Sequence, residues 1–168
     1  MKLADYVTLS RVVVTPIVMI CWNLGPTHWH WIGLIIFIVA ALTDFADGRL
    51  ARRAAQTTRL GAYLDPLADK ILVLGASLAL ISQGRLSIWI VFILLLRELA
   101  IMGLRSVLPS DTTMAASYAA KWKTTAQLVA LGASAVLSGW VPDALWAVAI
   151  SLTIWTGGEY FYHYWPEI

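Results

Sequence analysis

Residues 44–69 read D-F-A-D-G-R-L-A-R, eight further residues, then G-A-Y-L-D-P-L-A-D. Asp44, Asp47, Asp65 and Asp69 therefore stand at the edges of two strongly apolar segments, 31–43 and 71–82. A carboxylate in or beside a membrane span costs several kcal/mol, on the order of 3 by insertion measurements, unless a cation or a water-filled site compensates it. Four together imply a purpose, and binding divalent metal is the natural one. On a helix, Asp44 and Asp47 at i and i+3 share a face with Gly48 and Ala51, and Arg52 lies beside them. Gly61, Asp65 and Asp69 recur every fourth residue and form a second acidic stripe. Magnesium-type ions take oxygen ligands in octahedral array and leave positions for water or substrate phosphate, which suits aspartates without histidine or thiolate. Two such ions ~3.5–4 Å apart can clamp the entering and leaving oxygens of a phosphoryl displacement, so a phosphoester substrate is expected. Gly48, Ala51 and Gly61 remove side-chain bulk where a nucleotide or a second helix must approach the backbone. Taken singly, each serves helix packing equally well. Arg52 offers a planar fork for phosphate oxygens.

Outward from this stretch, the 168-residue chain is 60% hydrophobic and 13% charged, which places it in the integral membrane class. Apolar stretches at 7–24, 31–43, 71–82, 86–104, 124–137 and 144–156 predict six transmembrane helices. The second and third continue helically through the Asp-bearing segments, where helix-compatible residues permit it. The first span lacks a small-residue cleavage site behind it and is expected to be retained. With six spans both termini share a side. That side collects Lys2, Arg11, Arg49, Arg52, Arg53, Arg59, Lys70, Arg105, Lys121 and Lys123, against Arg85 opposite. By the positive-inside rule it is cytoplasmic, so the site faces the cytoplasm of a cell (inner) membrane protein. Trp22, Trp29, Trp31, Trp89 and Trp140 suit the outer aromatic belt, and Trp122 and Trp165 the inner one. His28 and His30 fit the outer interface better than metal ligation. A single cysteine, Cys21, in an apolar run excludes an intrachain disulfide and reads as a buried structural thiol. A net charge of +2 gives no support for nucleic acid as a partner. With no repeat or linker, residues 1–168 are expected to form one domain.

The full arrangement, D-x-x-D-G-x-x-A-R, eight residues, G-x-x-x-D-x-x-x-D, resembles the signature of the CDP-alcohol phosphotransferase family at Asp44, Asp47, Gly48, Ala51, Arg52, Gly61, Asp65 and Asp69. The resemblance implies an all-α, six-helix membrane fold, usually a homodimer, that takes a CDP-linked alcohol as donor and releases CMP. It implies two divalent cations, Mg²⁺ or Mn²⁺, on the four aspartates, with Asp69 also the general base. It places Gly48, Ala51, Arg52, Thr58 and Gly61 at the cytidine diphosphate, together with the entry to the first helix near Asp5.

Further likeness extends over nearly the whole chain. It includes Asp65-Pro66-Leu67-Ala68-Asp69-Lys70, Arg97-Glu98, Lys121-Trp122-Lys123-Thr124 and Thr156-Gly157-Gly158-Glu159-Tyr160-Phe161. Within the family these segments resemble the branch that joins CDP-diacylglycerol to glycerol 3-phosphate. Arg11, Arg97, Arg105, Lys121 and Lys123 are candidates for the acceptor phosphate, although lipid headgroup contact serves any one of them as well. Arg97 and Glu98 point about 100° apart within an apolar span, so each is expected to find its partner elsewhere. Rival readings are the same chemistry with inositol phosphate, serine or phosphatidylglycerol as acceptor, an Asp-rich polyprenyl transferase, and a non-enzymatic membrane transporter.

Overall fold

Each apolar segment of the sequence lies in a helix save for one or two end residues, and the described links at 83–87 and 137–139 carry glycine and polar residues. The computed structural model describes the backbone of residues 3–24, 26–54, 59–107 and 118–165, and the side chains of 10–24, 26–43, 70–104, 106–107 and 122–165. Among these residues the helices are α1 (Leu3–Asn23), α2 (Thr27–Ala54), α3 (Arg59–Ser82), α4 (Ile88–Val107), α5 (Tyr118–Val136) and α6 (Trp140–Tyr164). The Asp-bearing segments are helical, as expected, forming the end of α2 and the start of α3. Among the described residues, no helix is long and apolar enough to cross a membrane. Arg97 and Glu98 interrupt the apolar run of α4, and Asp143, the Gly157-Gly158 pair and Glu159 dilute that of α6.

The chain divides into two compact units, residues 1–86 with 131–137, and residues 87–130 with 138–168. In the first, α1 packs against both α2 and α3. Glycine makes both approaches close. A Cβ at Gly33 of α2 would stand 2.6 Å from Cδ1 and Nε1 of Trp22. A Cβ at Gly75 of α3 would overlap the Thr15 methyl, which its β-branched side chain cannot easily move aside. Trp22 is fully buried, tilted against Phe37 with ring centroids 5.5 Å apart, and its Nε1 donates to the His30 carbonyl at 3.3 Å. The C-terminal ends of α1 and α3 are joined by polar contacts. Ser82 Oγ donates to Asn23 Oδ1 at 2.8 Å, and the Gln83 amide donates to the Trp22 carbonyl. Gly84, at φ 67°, takes the left-handed conformation that the turn beyond α3 needs.

The last carbonyls of a helix have no intrahelical donor and need one from elsewhere. At the end of α5, Ala135 O accepts from Arg85 at 2.8 Å and from His30 Nδ1 at 2.9 Å. A carbonyl only accepts, so Nδ1 carries the imidazole hydrogen. Two sequence expectations change here. Trp22 and His30 are buried rather than placed in an interfacial belt, because each has a backbone carbonyl to receive its N–H, and the Trp22 ring packs on Phe37. Cys21 is free and buried, as expected.

In the second unit α4 packs on α6, with Ile101, Leu104 and Tyr160 buried against Phe161 and Tyr164. Gln127 of α5 donates to Thr153 Oγ1 of α6 at 3.0 Å, a buried polar link between these helices.

The glycine contacts predict opposite outcomes for one kind of substitution. Gly75→Ala should lower stability by about 1–3 kcal/mol through overpacking. Gly103→Ala, where an added Cβ meets nothing within 4 Å, should leave stability unchanged or raise it by up to about 1 kcal/mol through helix propensity. Thermal unfolding of the two purified variants in detergent checks both.

Candidate functional site

The acidic motif is divided between two consecutive helices. Asp44, Asp47, Gly48, Ala51 and Arg52 lie on α2, and Gly61, Asp65 and Asp69 on α3. Along each helix the two aspartates are separated by about one turn, roughly 4.5–6 Å of rise at 1.5 Å per residue. Asp5 lies on α1. Thr58 lies outside the described residues, as do the side chains of these aspartates, of Asp5, Arg52, Arg105 and Lys121. Among the described residues there is no group of three or more His, Cys, Asp or Glu able to hold a metal ion. The donor set that the motif supplies, four carboxylates without imidazole or thiolate, suits a hard divalent cation.

Arg11 is 4% exposed and borders a cleft of ≈ 260 Å³ between α1 and α2. The two helices run antiparallel across a short link: Trp22 meets His30 near the link, and Ser10 and Arg11 of α1 lie level with Thr43 of α2. The polar lining, Ser10, Arg11 and Thr43, is consequently at the end of the cleft toward Asp44. Val14, Ile36, Val39 and Ala40 supply apolar walls.

The second unit holds a compact charged cluster. Arg97 and Lys123 both reach Oε1 of Glu98, Arg97 at 3.1 Å. The side chains of Arg97 and Lys123 are 13% and 6% exposed and that of Glu98 is 27% exposed. Arg97 also donates to Thr156 Oγ1 at 3.4 Å, and its guanidinium lies 5.7 Å from the Tyr160 ring centroid, within cation–π range. Gly157 gives the arginine stem its room, since a Cβ there would come 3.3 Å from Arg97 Cγ. The expectation that Arg97 and Glu98 find partners only elsewhere is corrected in part. They pair with each other, because a long arginine stem spans the 100° between adjacent helix positions, and Lys123 completes the cluster. The roles of Thr156 and Tyr160 toward Arg97 were not readable from sequence, because a separation of 59 residues or more leaves no local periodic signal.

Residues 1–155 match the family model described as CDP-alcohol phosphatidyltransferase. The chain belongs to that family, and its members are transferases. Among its relatives, a Bacillus subtilis protein is 36% identical, with 99% of this chain and 97% of that one aligned. A Haemophilus influenzae protein is 41% identical over 76% of this chain and 71% of its own length. An Escherichia coli protein is 38% identical over 91% of this chain and 89% of its own. Each is named CDP-diacylglycerol--glycerol-3-phosphate 3-phosphatidyltransferase.

Removing one member of a buried ion cluster costs far more than removing both. Glu98→Gln takes away the carboxylate that Arg97 and Lys123 share. It should destabilise the protein by on the order of 2–3 kcal/mol, somewhat under the ~3–5 of fully buried pairs because Glu98 is partly exposed. The double variant Glu98→Gln with Lys123→Met should recover part of the loss. Unfolding measurements on the single and double variants read the coupling directly.

Proposed function

We infer that the chain transfers the phosphatidyl group of CDP-diacylglycerol to glycerol 3-phosphate, giving phosphatidylglycerophosphate and CMP. The observation that carries this reading is the joint spacing of carboxylates and glycines on α2 and α3, in a chain whose 36% and 41% identical relatives bear that activity in their names. Asp44, Asp47, Asp65 and Asp69 would hold two divalent cations, Mg²⁺ or Mn²⁺. When bound, such ions neutralise phosphate oxygens and polarise the phosphorus. Asp69 accepts the proton of the acceptor hydroxyl as its oxygen forms the new bond to phosphorus. The phosphorus–oxygen bond to CMP breaks, and CMP leaves with the electron pair. A carboxylate is a weak base, so positioning must supply much of the acceleration.

Asp5, Gly48, Ala51, Arg52, Thr58 and Gly61 form the proposed cradle for cytidine diphosphate. Small residues admit the nucleotide close to the backbone, and Arg52 matches phosphate geometry with its planar fork. Arg97, Arg105, Lys121 and Lys123 are the proposed cations for the acceptor phosphate, with Arg97 and Lys123 oriented by Glu98 before substrate arrives. The reading includes a multi-pass protein of the cell (inner) membrane with its active site toward the cytoplasm. Its support is the 60% hydrophobic composition and the gathering of Lys and Arg on one side of the expected topology. A single functional domain fits a family match that runs through residues 1–155, and a homodimer follows from the family resemblance.

The test measures CMP release and lipid product with CDP-diacylglycerol and Mg²⁺, comparing glycerol 3-phosphate with serine and inositol phosphate. Product should require glycerol 3-phosphate, disappear on chelation and return with Mg²⁺. Asp69→Asn should reduce turnover by about 10²–10⁴-fold, the usual range for a positioned acid or base. Product from a different acceptor would retain the chemistry and replace the substrate.

A further inference from the structure

Thr156 of α6 touches neither the acidic motif nor any residue of the nucleotide cradle, yet it receives a hydrogen bond from Arg97. We propose that Thr156 is a positioning residue, whose hydroxyl oxygen sets the direction in which the Arg97 guanidinium meets the acceptor. This role rests on the transferase reading above, in which Arg97 serves the acceptor phosphate.

Thr153, Thr156, Gly157 and Tyr160 follow one another at the three- and four-residue spacing of a helix face, and all four are buried. The two threonines are used alike. Thr153 Oγ1 donates to Ala149 O at 2.6 Å, and Thr156 Oγ1 donates to Leu152 O at 2.7 Å, with Thr153 O a second acceptor at 3.2 Å. A hydroxyl has one hydrogen to give and two lone pairs with which to receive. With its hydrogen committed to its own helix, each oxygen meets a neighbouring helix as an acceptor. Gln127 of α5 donates to Thr153 at 3.0 Å, and Arg97 of α4 donates to Thr156 at 3.4 Å. Back-bonding and a β-branched side chain hold both oxygens in place.

Arg97 uses such a fixed point. Its Nη1 pairs with Glu98, the adjacent residue on the same helix, and its Nε makes no hydrogen bond among the described residues. One ion pair to a chain neighbour lets a planar group turn about that contact, and a second bond, from Nη2 to another helix, sets its plane. The Tyr160 ring, one turn beyond Thr156, backs the same guanidinium with its centroid 5.7 Å away. Gly157 admits the arginine stem, since a Cβ there would stand 3.3 Å from Arg97 Cγ. Acceptor, clearance and ring therefore come from a single face of α6. The other threonine holds α5 in register: Gln127 lies one turn from Lys123, so its bond to Thr153 ties that stretch of α5 to the same face.

A hydroxyl that only braced the helices would, on removal, lower stability and disturb both substrates alike. One that aims Arg97 is felt through the acceptor.

The experiment uses the purified full chain in mixed micelles with Mg²⁺, and measures kcat, the KM values for CDP-diacylglycerol and for glycerol 3-phosphate, and the unfolding temperature. Thr156→Val keeps the shape and removes the oxygen. It should raise KM for glycerol 3-phosphate about tenfold, the lower end of what a hydrogen bond to a charged group supplies, and leave KM for the donor at its wild-type value. Thr156→Ser returns the oxygen and should bring KM for glycerol 3-phosphate back toward wild type. Gly157→Ala crowds the Arg97 stem without touching the hydroxyl, and should raise the same KM. Ser151→Ala removes an exposed hydroxyl back-bonded to Ala147 O at 2.8 Å, and should change neither KM. An unchanged KM for glycerol 3-phosphate in folded Thr156→Val, or a rise in both KM values that serine does not reverse, overturns the role. If Thr156→Val fails to fold, Gly157→Ala decides: a selective rise in KM for glycerol 3-phosphate supports the role and an unchanged value overturns it. Product formed from an acceptor without phosphate, and none from glycerol 3-phosphate, removes Arg97 from the acceptor and the role of Thr156 with it, while the transfer chemistry stands. Absence of CMP release from wild type with any acceptor overturns the transferase reading itself.

Discussion

The close seating of α1 on its two neighbours is the constraint on which the first unit depends. Helices approach this closely only where one side gives up its side chains, and Gly33 and Gly75 do so on α2 and α3. The same two helices carry the aspartates. The contacts of Trp22 over Gly33 and Thr15 over Gly75 lie a few turns from the aspartates along those helices. The polar ties at the far ends of α1, α3 and α5 support this arrangement. Asn23, Gln83, Arg85 and His30 each engage a terminal polar group that would otherwise be buried or left to solvent.

Charge within apolar helices is handled in the second unit by mutual compensation. Arg97, Glu98 and Lys123 lie in segments where an isolated charge would be expensive, and they converge on one carboxylate oxygen. Such clusters contribute little net stability compared with well-packed apolar residues, so their presence argues for a role in orienting charge. Arg97 is further fixed by Thr156 and by the face of Tyr160, while Gly157 leaves space for its stem. A guanidinium held from three sides is fixed in direction, its partners coming from α4 and α6.

Much of the local order was legible in the chain. The apolar runs correspond to the six described helices, and the Asp-bearing segments extend α2 and α3 as their helix-compatible residues indicate. Cys21 is buried as its surroundings suggest. Trp22 and His30 were misjudged for one reason: composition reports that a residue is amphipathic, but not whether a carbonyl from another turn or helix will meet its N–H. His30 finds Ala135, more than a hundred positions away. Arg97 and Glu98 were misjudged for another, since helical angles describe Cα directions while a long side chain can bend back across them.

The sequence by itself determined the chemistry: which residues carry charge, how the carboxylates and glycines are spaced along two helices, and hence the family and the metal-compatible donor set. Those properties are covalent order and helical period, and both are local. Tertiary structure alone decided that α1 lies against α2 and α3 at two glycines, that Glu98 joins Arg97 to Lys123 and that an apolar cleft starts beside Arg11. Each of these arises from side chains distant in sequence competing for the same volume or the same counter-charge, and packing in three dimensions is what resolves that competition.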